Sequence, residues 1–226
     1  MSVAQYTTLV LIGCGSIFDA ASITWPRIGG NTDHDGVNPA LQVLRLTTTD
    51  NITTEVAAAL AELDSTKVRV FAAIDSNALN HARLDAYAGA RLRGFKCATL
   101  IHPDAIVEPD IQIGENCWIG AGAIVGSGVR IGNNTFIGAG ARIDGSVQIG
   151  NSTWIGPGAA LGHNARIGTH CVLGADVKIA AGVVLGRHCV VERPGAYAES
   201  LPDGSFIDPL FDFPVRIFGK AARSTG

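Results

Sequence analysis

Residues 129–173 read VRIGNN TFIGAG ARIDGS VQIGNS TWIGPG AALGHN ARIGTH CVL. Every sixth residue is aliphatic: Ile131, Ile137, Ile143, Ile149, Ile155, Leu161, Ile167 and Leu173. The register runs back without a slip through Val125, Ile119, Ile113 and Val107 to Ile101, and forward through Ile179 and Leu185 to Val191. Two residues before each aliphatic lies a second set, mostly small or β-branched: Ala123, Thr135, Ala141, Thr153, Ala159, Ala165 and Cys171. Gly follows most of the aliphatics, as in Gly114, Gly120, Gly132, Gly150 and Gly168. A fixed six-residue period of this kind is the signature of a parallel β-helix.

The pattern has a direct physical reading. Each hexad is one short strand and one turn. The aliphatic points inward and stacks on its equivalent in the next coil, with backbone hydrogen bonds joining coils about 4.8 Å apart. The small residue points inward near a corner, where little volume remains. Gly, Asn and Asp tolerate the turn backbone. Three hexads close a coil, so stacked neighbours lie about 18 residues apart. One coil cannot bury its own inner face, and stacking supplies the core.

Composition narrows the function. The chain has 226 residues, 47% of them hydrophobic and only 6% aromatic, which suits a core of stacked aliphatics. A net charge of −3 gives no reason to expect nucleic acid or an anionic membrane as partner. No apolar run reaches membrane-span length. Met1–Gln5 carries no basic leader, so a cytoplasmic location without membrane insertion is expected. The five cysteines make no C-x-x-C pair, and Cys117, Cys171 and Cys189 take the inward small position, as buried apolar residues.

Ahead of the repeat, strands and helices alternate. Thr8–Ile12 reads as a buried parallel strand ending in Gly13-Cys14-Gly15-Ser16, a turn that lets a phosphate or ribose approach the backbone. Pro26, Gly29, Gly30, Asp33, His34, Asp35 and Gly36 signal turns. Leu41–Leu46 predicts a strand, a helix capped by Thr54 runs to Leu63, Val68–Ile74 is a strand, Asn77–Arg91 a helix, and Lys96–Ile101 a strand feeding the first coil. The expected architecture is a small Rossmann-like α/β domain over residues 1–98 and a β-helix over 99–195. The Pro-punctuated tail, 196–226, is expected to cover the open end of the coils.

Thr99-Leu100-Ile101-His102-Pro103-Asp104-Ala105, following a small α/β domain and leading into hexads, resembles the sialic-acid O-acetyltransferase and bacterial aminosugar N-acetyltransferase family of hexapeptide-repeat acyltransferases. Ala73-Ile74-Asp75-Ser76-Asn77, Arg83 and Gly94-Phe95 share the resemblance. It implies a left-handed β-helix, a homotrimer, acetyl-CoA as donor, no metal, and a nucleotide-linked aminosugar or free sugar as acceptor, in cell-surface polysaccharide biosynthesis. The acceptor's nucleotide is then expected on the first domain, at Gly13, Gly15, Ser16 and Asn77.

The family's catalytic His-acid stretch is matched by Leu161-Gly162-His163-Asn164-Ala165-Arg166-Ile167-Gly168, with Asn164 where the acid stands. His163 is the expected general base and Asn164 its neutral orienting partner. One coil onward lies Ala181, whose backbone N–H is the expected oxyanion donor, beside Gly182. For CoA, Ala181, Gly182, Arg187 and Lys220 are the expected contacts, with Lys178, Arg193, Arg216 and Arg223 further cations for its phosphates. His170 and His188 share one phase and are expected to stack, and the three-histidine spacing of carbonic-anhydrase members of this fold is absent. His81 and His34 belong to no constellation in the sequence. N-acetylation is the first reading, sugar O-acetylation the second, and a trimeric binding protein without catalysis the third.

Overall fold

The computed structural model describes residues 6–28, 40–46, 51–75, 80–210 and 215–216. Strand β1 (Thr8–Cys14), helix α1 (Ser16–Ile28), β2 (Ala40–Arg45), α2 (Ile52–Leu60), β3 (Val68–Ile74), α3 (His81–Leu92) and β4 (Lys96–Cys97) form the first unit. Its sheet is parallel throughout, in the order β2-β1-β3-β4. Strands β1 and β3 are mostly apolar because both of their faces are covered, with Arg69 the charged exception in β3. Val10, Ile12, Val70 and Ala72 pack against Val56 and Leu60 of α2 and Ala86 and Ala90 of α3. On the other face, Leu9, Leu11, Phe71 and Ala73 meet Ile17, Phe18 and Ala21 of α1 together with Leu100, Trp118 and Phe136 of the repeat.

Three boundaries differ from the sequence reading. Helix α2 starts at Ile52, not at Thr54. Ile52, Val56 and Leu60 are its buried stripe, and the Asn51 carbonyl accepts the Thr54 and Glu55 N–H groups at 3.0 Å each. Helix α1 carries the chain through Asp19 to Ile28, so Pro26 lies in its last turn rather than in a loop. The single strand expected over Lys96–Ile101 is two: Lys96–Cys97 completes the first sheet, while Leu100–Ile101 pairs with Trp118–Ile119 and opens the coils.

From Leu100 short strands stack into three sheets, parallel except where Val215–Arg216 pairs antiparallel with Ser205–Ile207, and these fit the left-handed parallel β-helix. Face one contains Leu100–Ile101, Trp118–Ile119, Phe136–Ile137, Trp154–Ile155, Val172–Leu173 and Val190–Val191, and is continued by Ser205–Ile207 and Val215–Arg216. Face two runs from Ile106–Val107 to Gly195–Tyr197 and face three from Gln112–Ile113 to Val184–Leu185. The register follows the hexads, pairing Ile137 with Ile155 and Ile155 with Leu173. The sixth-position aliphatics and the small residues make one continuous core. At the corner from face three to face one, Asn116, Asn134, Ser152, His170 and His188 hold φ between 53° and 58°. Asn is among the few non-Gly residues that tolerate this left-handed backbone.

The first unit sits on face one. Trp118 and Phe136, pointing outward there, are nonetheless buried, and Trp118, Phe136 and Trp154 stack with centroids 6.4 and 3.8 Å apart. The junction is pinned by Arg83, whose side chain is fully buried. It donates to Ala72 O at 3.2 Å, Asn134 O at 2.7 Å and Asn116 O at 2.6 Å. Burial pushes its pKa down to about 10. Asn80 continues the same row, donating to Ser152 O at 3.0 Å.

Candidate active site

His163 lies at the corner between faces two and three, in the turn between Ala160–Leu161 and Arg166–Ile167. It is exposed, and its imidazole leans over Gly145 one coil earlier: a Cβ built on Gly145 would lie 3.5 Å from His163 Nδ1. Any side chain at Gly145 would therefore meet the ring. Asn164 holds φ 59° and its N–H donates to Gly145 O at 3.2 Å, so the corner backbone alone accounts for an Asn at this position. The next coil brings Ala181 and Gly182 to the same corner, with Gly182 N–H donating to His163 O at 2.9 Å. Ala181 is exposed, and its N–H has no acceptor among the described residues. The side chains of His163 and Asn164 make no hydrogen bond to the described residues either. His163, Asn164, Ala181 and Gly182 thus share one open corner.

Face three, beside this corner, carries an open cavity of about 680 Å³ lined in part by Arg130, Gln148, Arg166, Arg187 and Asp203. Arg130 and Arg166 occupy outward positions immediately before inward aliphatics, and no ion pair to either is present among the described residues. Arg187, expected to face a ligand phosphate, lines the same cavity and pairs with Asp203, through Nε at 3.1 Å and Nη2 at 3.0 Å. Sequence reading passed over Arg130 and Arg166. Their outward step in the hexad was the available signal, since a cation there must project onto a sheet face. Lys220, Arg223 and the side chain of Arg216 lie outside the described residues, as does Asn77.

Gly13, Gly15 and Ser16 form the turn from β1 into α1, at the C-terminal edge of the parallel sheet. Their partner is Asp75, the residue after β3. Ser16 N–H donates to Asp75 Oδ2 at 2.9 Å, Ile17 N–H to Oδ1 at 2.9 Å, and the Ser16 hydroxyl to Oδ1 at 3.0 Å. Burial, followed by the charges of Asp75 and Glu55, pushes the Cys14 thiol up, so it is no thiolate nucleophile. Asp75 was visible in the sequence only as part of the family resemblance, because nothing in the spacing places it beside the first turn.

His170 and His188 stack as expected, with ring centroids 4.9 Å apart. His81, assigned no constellation from sequence, joins them: its ring lies 5.9 Å from His170, at the start of α3. Burial, then His188 and His81, pushes the His170 pKa below its ordinary 6.5. No group of three or more His, Cys, Asp or Glu able to hold a metal occurs among the described residues. Nor is any helix among them long and apolar enough to cross a membrane.

His163 and the Gly13–Ser16 turn lie apart within one chain. The first unit covers face one, whereas His163 stands at the corner opposite that face.

Comparison with known proteins sorts this arrangement. Residues 95–195 match the family model of the GMPPB C-terminal domain. No curated protein matches the chain. PerB from Caulobacter crescentus, solved in complex with CoA and GDP-perosamine, is 25% identical, with TM-score 0.69 over 88% of this chain and 92% of that one. In fold the chain is similar to the hexapeptide-repeat acyltransferases. The acetyltransferase domain of PglB from Neisseria gonorrhoeae, in complex with acetyl coenzyme A, shares the fold at 21% identity, with TM-score 0.71 over 89% of this chain and 95% of that one. WeeI from Acinetobacter baumannii does so at 15% identity, TM-score 0.53, over 88% and 96%. These likenesses span both units, the first sheet as well as the coils.

Proposed function

We propose that the protein is an acetyl-CoA-dependent N-acetyltransferase acting on a nucleotide-linked aminosugar. The observation that carries this reading is the open corner at His163, in a fold shared with PerB in complex with CoA and GDP-perosamine.

The thioester of acetyl-CoA is already activated, so no covalent acyl-enzyme is needed. The sugar amine attacks the thioester carbon and the C–S bond breaks as CoA leaves. His163 takes the proton that the amine loses and returns it to the departing sulfur. The unpaired Ala181 N–H, one coil on, faces the oxygen that becomes negative in the tetrahedral intermediate. Arg130 and Arg166 on face three are the cations available to the CoA phosphates, since Arg187 is taken by Asp203. The Gly13–Ser16 edge of the first sheet receives the acceptor. Because that edge and His163 lie on opposite sides of one chain, each site is completed by a second copy, which supports a homotrimer.

Incubation with acetyl-CoA and a panel of GDP- and UDP-linked aminosugars, following thiol release, tests the reading. Release with an amino acceptor and none with its hydroxyl counterpart is expected. Release only with the hydroxyl sugar would make the protein an O-acetyltransferase. No release with any acceptor would leave a binding protein.

A further inference from the structure

A Gly-x-Gly turn opening a helix at a sheet's C-terminal edge is ordinarily read as a cradle for a ligand's phosphates, since the helix N-terminus offers free N–H groups and a positive dipole end. Here each feature behind that reading has an internal partner. A Cβ on Gly13 would lie 1.8 Å from Ala73 O, so this glycine admits the neighbouring strand. A Cβ on Gly15, which holds φ 90°, would lie 2.5 Å from Asp75 Oδ2, so the group in close approach is the chain's own carboxylate. The N–H groups of Ser16 and Ile17 and the Ser16 hydroxyl all donate to that carboxylate, at 2.9, 2.9 and 3.0 Å.

We propose that Asp75 is a specificity-determining residue: it takes the anion position at the α1 N-terminus, excludes the acceptor's phosphates from this turn, and presents an acceptor atom to a hydroxyl or N–H of the ligand instead. The acceptor half of this statement rests on the function proposed above. A carboxylate offers about four lone-pair sites, two on each oxygen. Among the described residues, Oδ1 accepts from Ile17 and the Ser16 hydroxyl, and Oδ2 from Ser16 N–H alone. One site on Oδ2 is therefore without a donor among the described residues. A phosphate brought to this turn would meet a like charge where the free N–H groups should be. A ribose hydroxyl or a base N–H would meet an acceptor. The nucleotide thus enters base or ribose first at this edge, with its diphosphate held elsewhere.

The test uses the full-length protein and follows the Ser16 and Ile17 amide resonances by NMR while inorganic pyrophosphate is added. In the wild type these resonances are expected to stay fixed. In Asp75→Ala they should move and saturate, because the N–H groups are then free, and high salt should reverse the change. Asp75→Asn, neutral and of the same shape, serves if the alanine variant does not fold. Saturating shifts in the wild type, or none in a folded neutral variant, would overturn the proposal. In a second arm, uridine and guanosine are compared with UDP and GDP. Wild-type Ser16 and Ile17 shifts no larger with the diphosphate than with the nucleoside support it, whatever the affinities, and larger, salt-reversible shifts with the diphosphate overturn it. If the pyrophosphate results hold and neither nucleosides nor nucleotides bind, Asp75 is still the internal cap, and the nucleotide-linked acceptor is what fails.

Discussion

Replacing Arg83 with Met should loosen the joint between the two units. The Met side chain fills much of the apolar stem's volume but offers no donor. Asn116 O and Asn134 O, accepting at 2.6 and 2.7 Å from Arg83, would then have no partner among the described residues. Ala72 O keeps a long contact from Asn116 Nδ2 at 3.4 Å. An unsatisfied buried carbonyl costs about 1–3 kcal/mol, so the two corner carbonyls together cost about 2–6 kcal/mol. Losing the contact of the guanidinium with the Phe71 ring, 5.6 Å away, adds to this. Against it, the variant no longer desolvates a cation that has no carboxylate partner among the described residues, which returns part of the cost. The net expectation is a destabilisation of about 2–5 kcal/mol. Urea unfolding followed by tryptophan emission reports it directly, because Trp118 is buried under the first sheet. A variant whose midpoint and slope leave stability within about 0.5 kcal/mol of wild type would refute the pinning role, since that is the scale of an ordinary surface change.

The histidine column should make stability depend on pH. The folded His170 binds its proton below its unfolded value of 6.5, so stability is fully present above that value. It should fall as the pH drops from there toward the folded pKa, because the unfolded chain then binds more protons. His170→Asn, with a residue that holds the same backbone in Asn134, should flatten the unfolding midpoint's dependence between about pH 7.5 and pH 5. An unchanged slope would place the titration elsewhere. Gly15→Ala drives a Cβ toward the Asp75 carboxylate from a left-handed backbone, and should cost about 1–3 kcal/mol in thermal or urea unfolding. Asn164→Asp keeps a residue that tolerates the corner's φ of 59° and should leave turnover the same or higher; loss of turnover in a folded protein would show that Asn164 touches the acceptor.

The coils were legible because their period is local. Each inward aliphatic stacks on an identical position, so Ile137 and Ile155 declare their own pairing in the sequence. The stacking of His170 on His188 followed from the same repeat. What could not be read was contact between the repeat and the rest of the chain. His81 sits at the start of α3 and reaches His170 only because Arg83 and Asn80 dock that helix on the corner carbonyls. Asp75 likewise meets Ser16 because β1 and β3 are neighbours in the sheet, which no spacing states. The start of α2 went astray because Thr54 looked like a cap, whereas the burial of Ile52 decides where the apolar stripe begins. At the candidate site, His163 stood out through the family resemblance, and the repeat's own arithmetic places Ala181 one coil on, at the same corner. Arg130 and Arg166 carry no such mark in the sequence, because a single outward cation in a hexad is also the ordinary solvated choice.

The most direct test of catalysis at this corner is thiol release by His163→Ala under saturating acetyl-CoA and an accepted aminosugar. His163 points no side chain into the core, so folding and acetyl-CoA affinity should persist while turnover falls about 10²–10⁴-fold, the usual worth of a positioned general base. Near-full turnover in the folded variant would contradict the account and make His163 an ordinary corner residue.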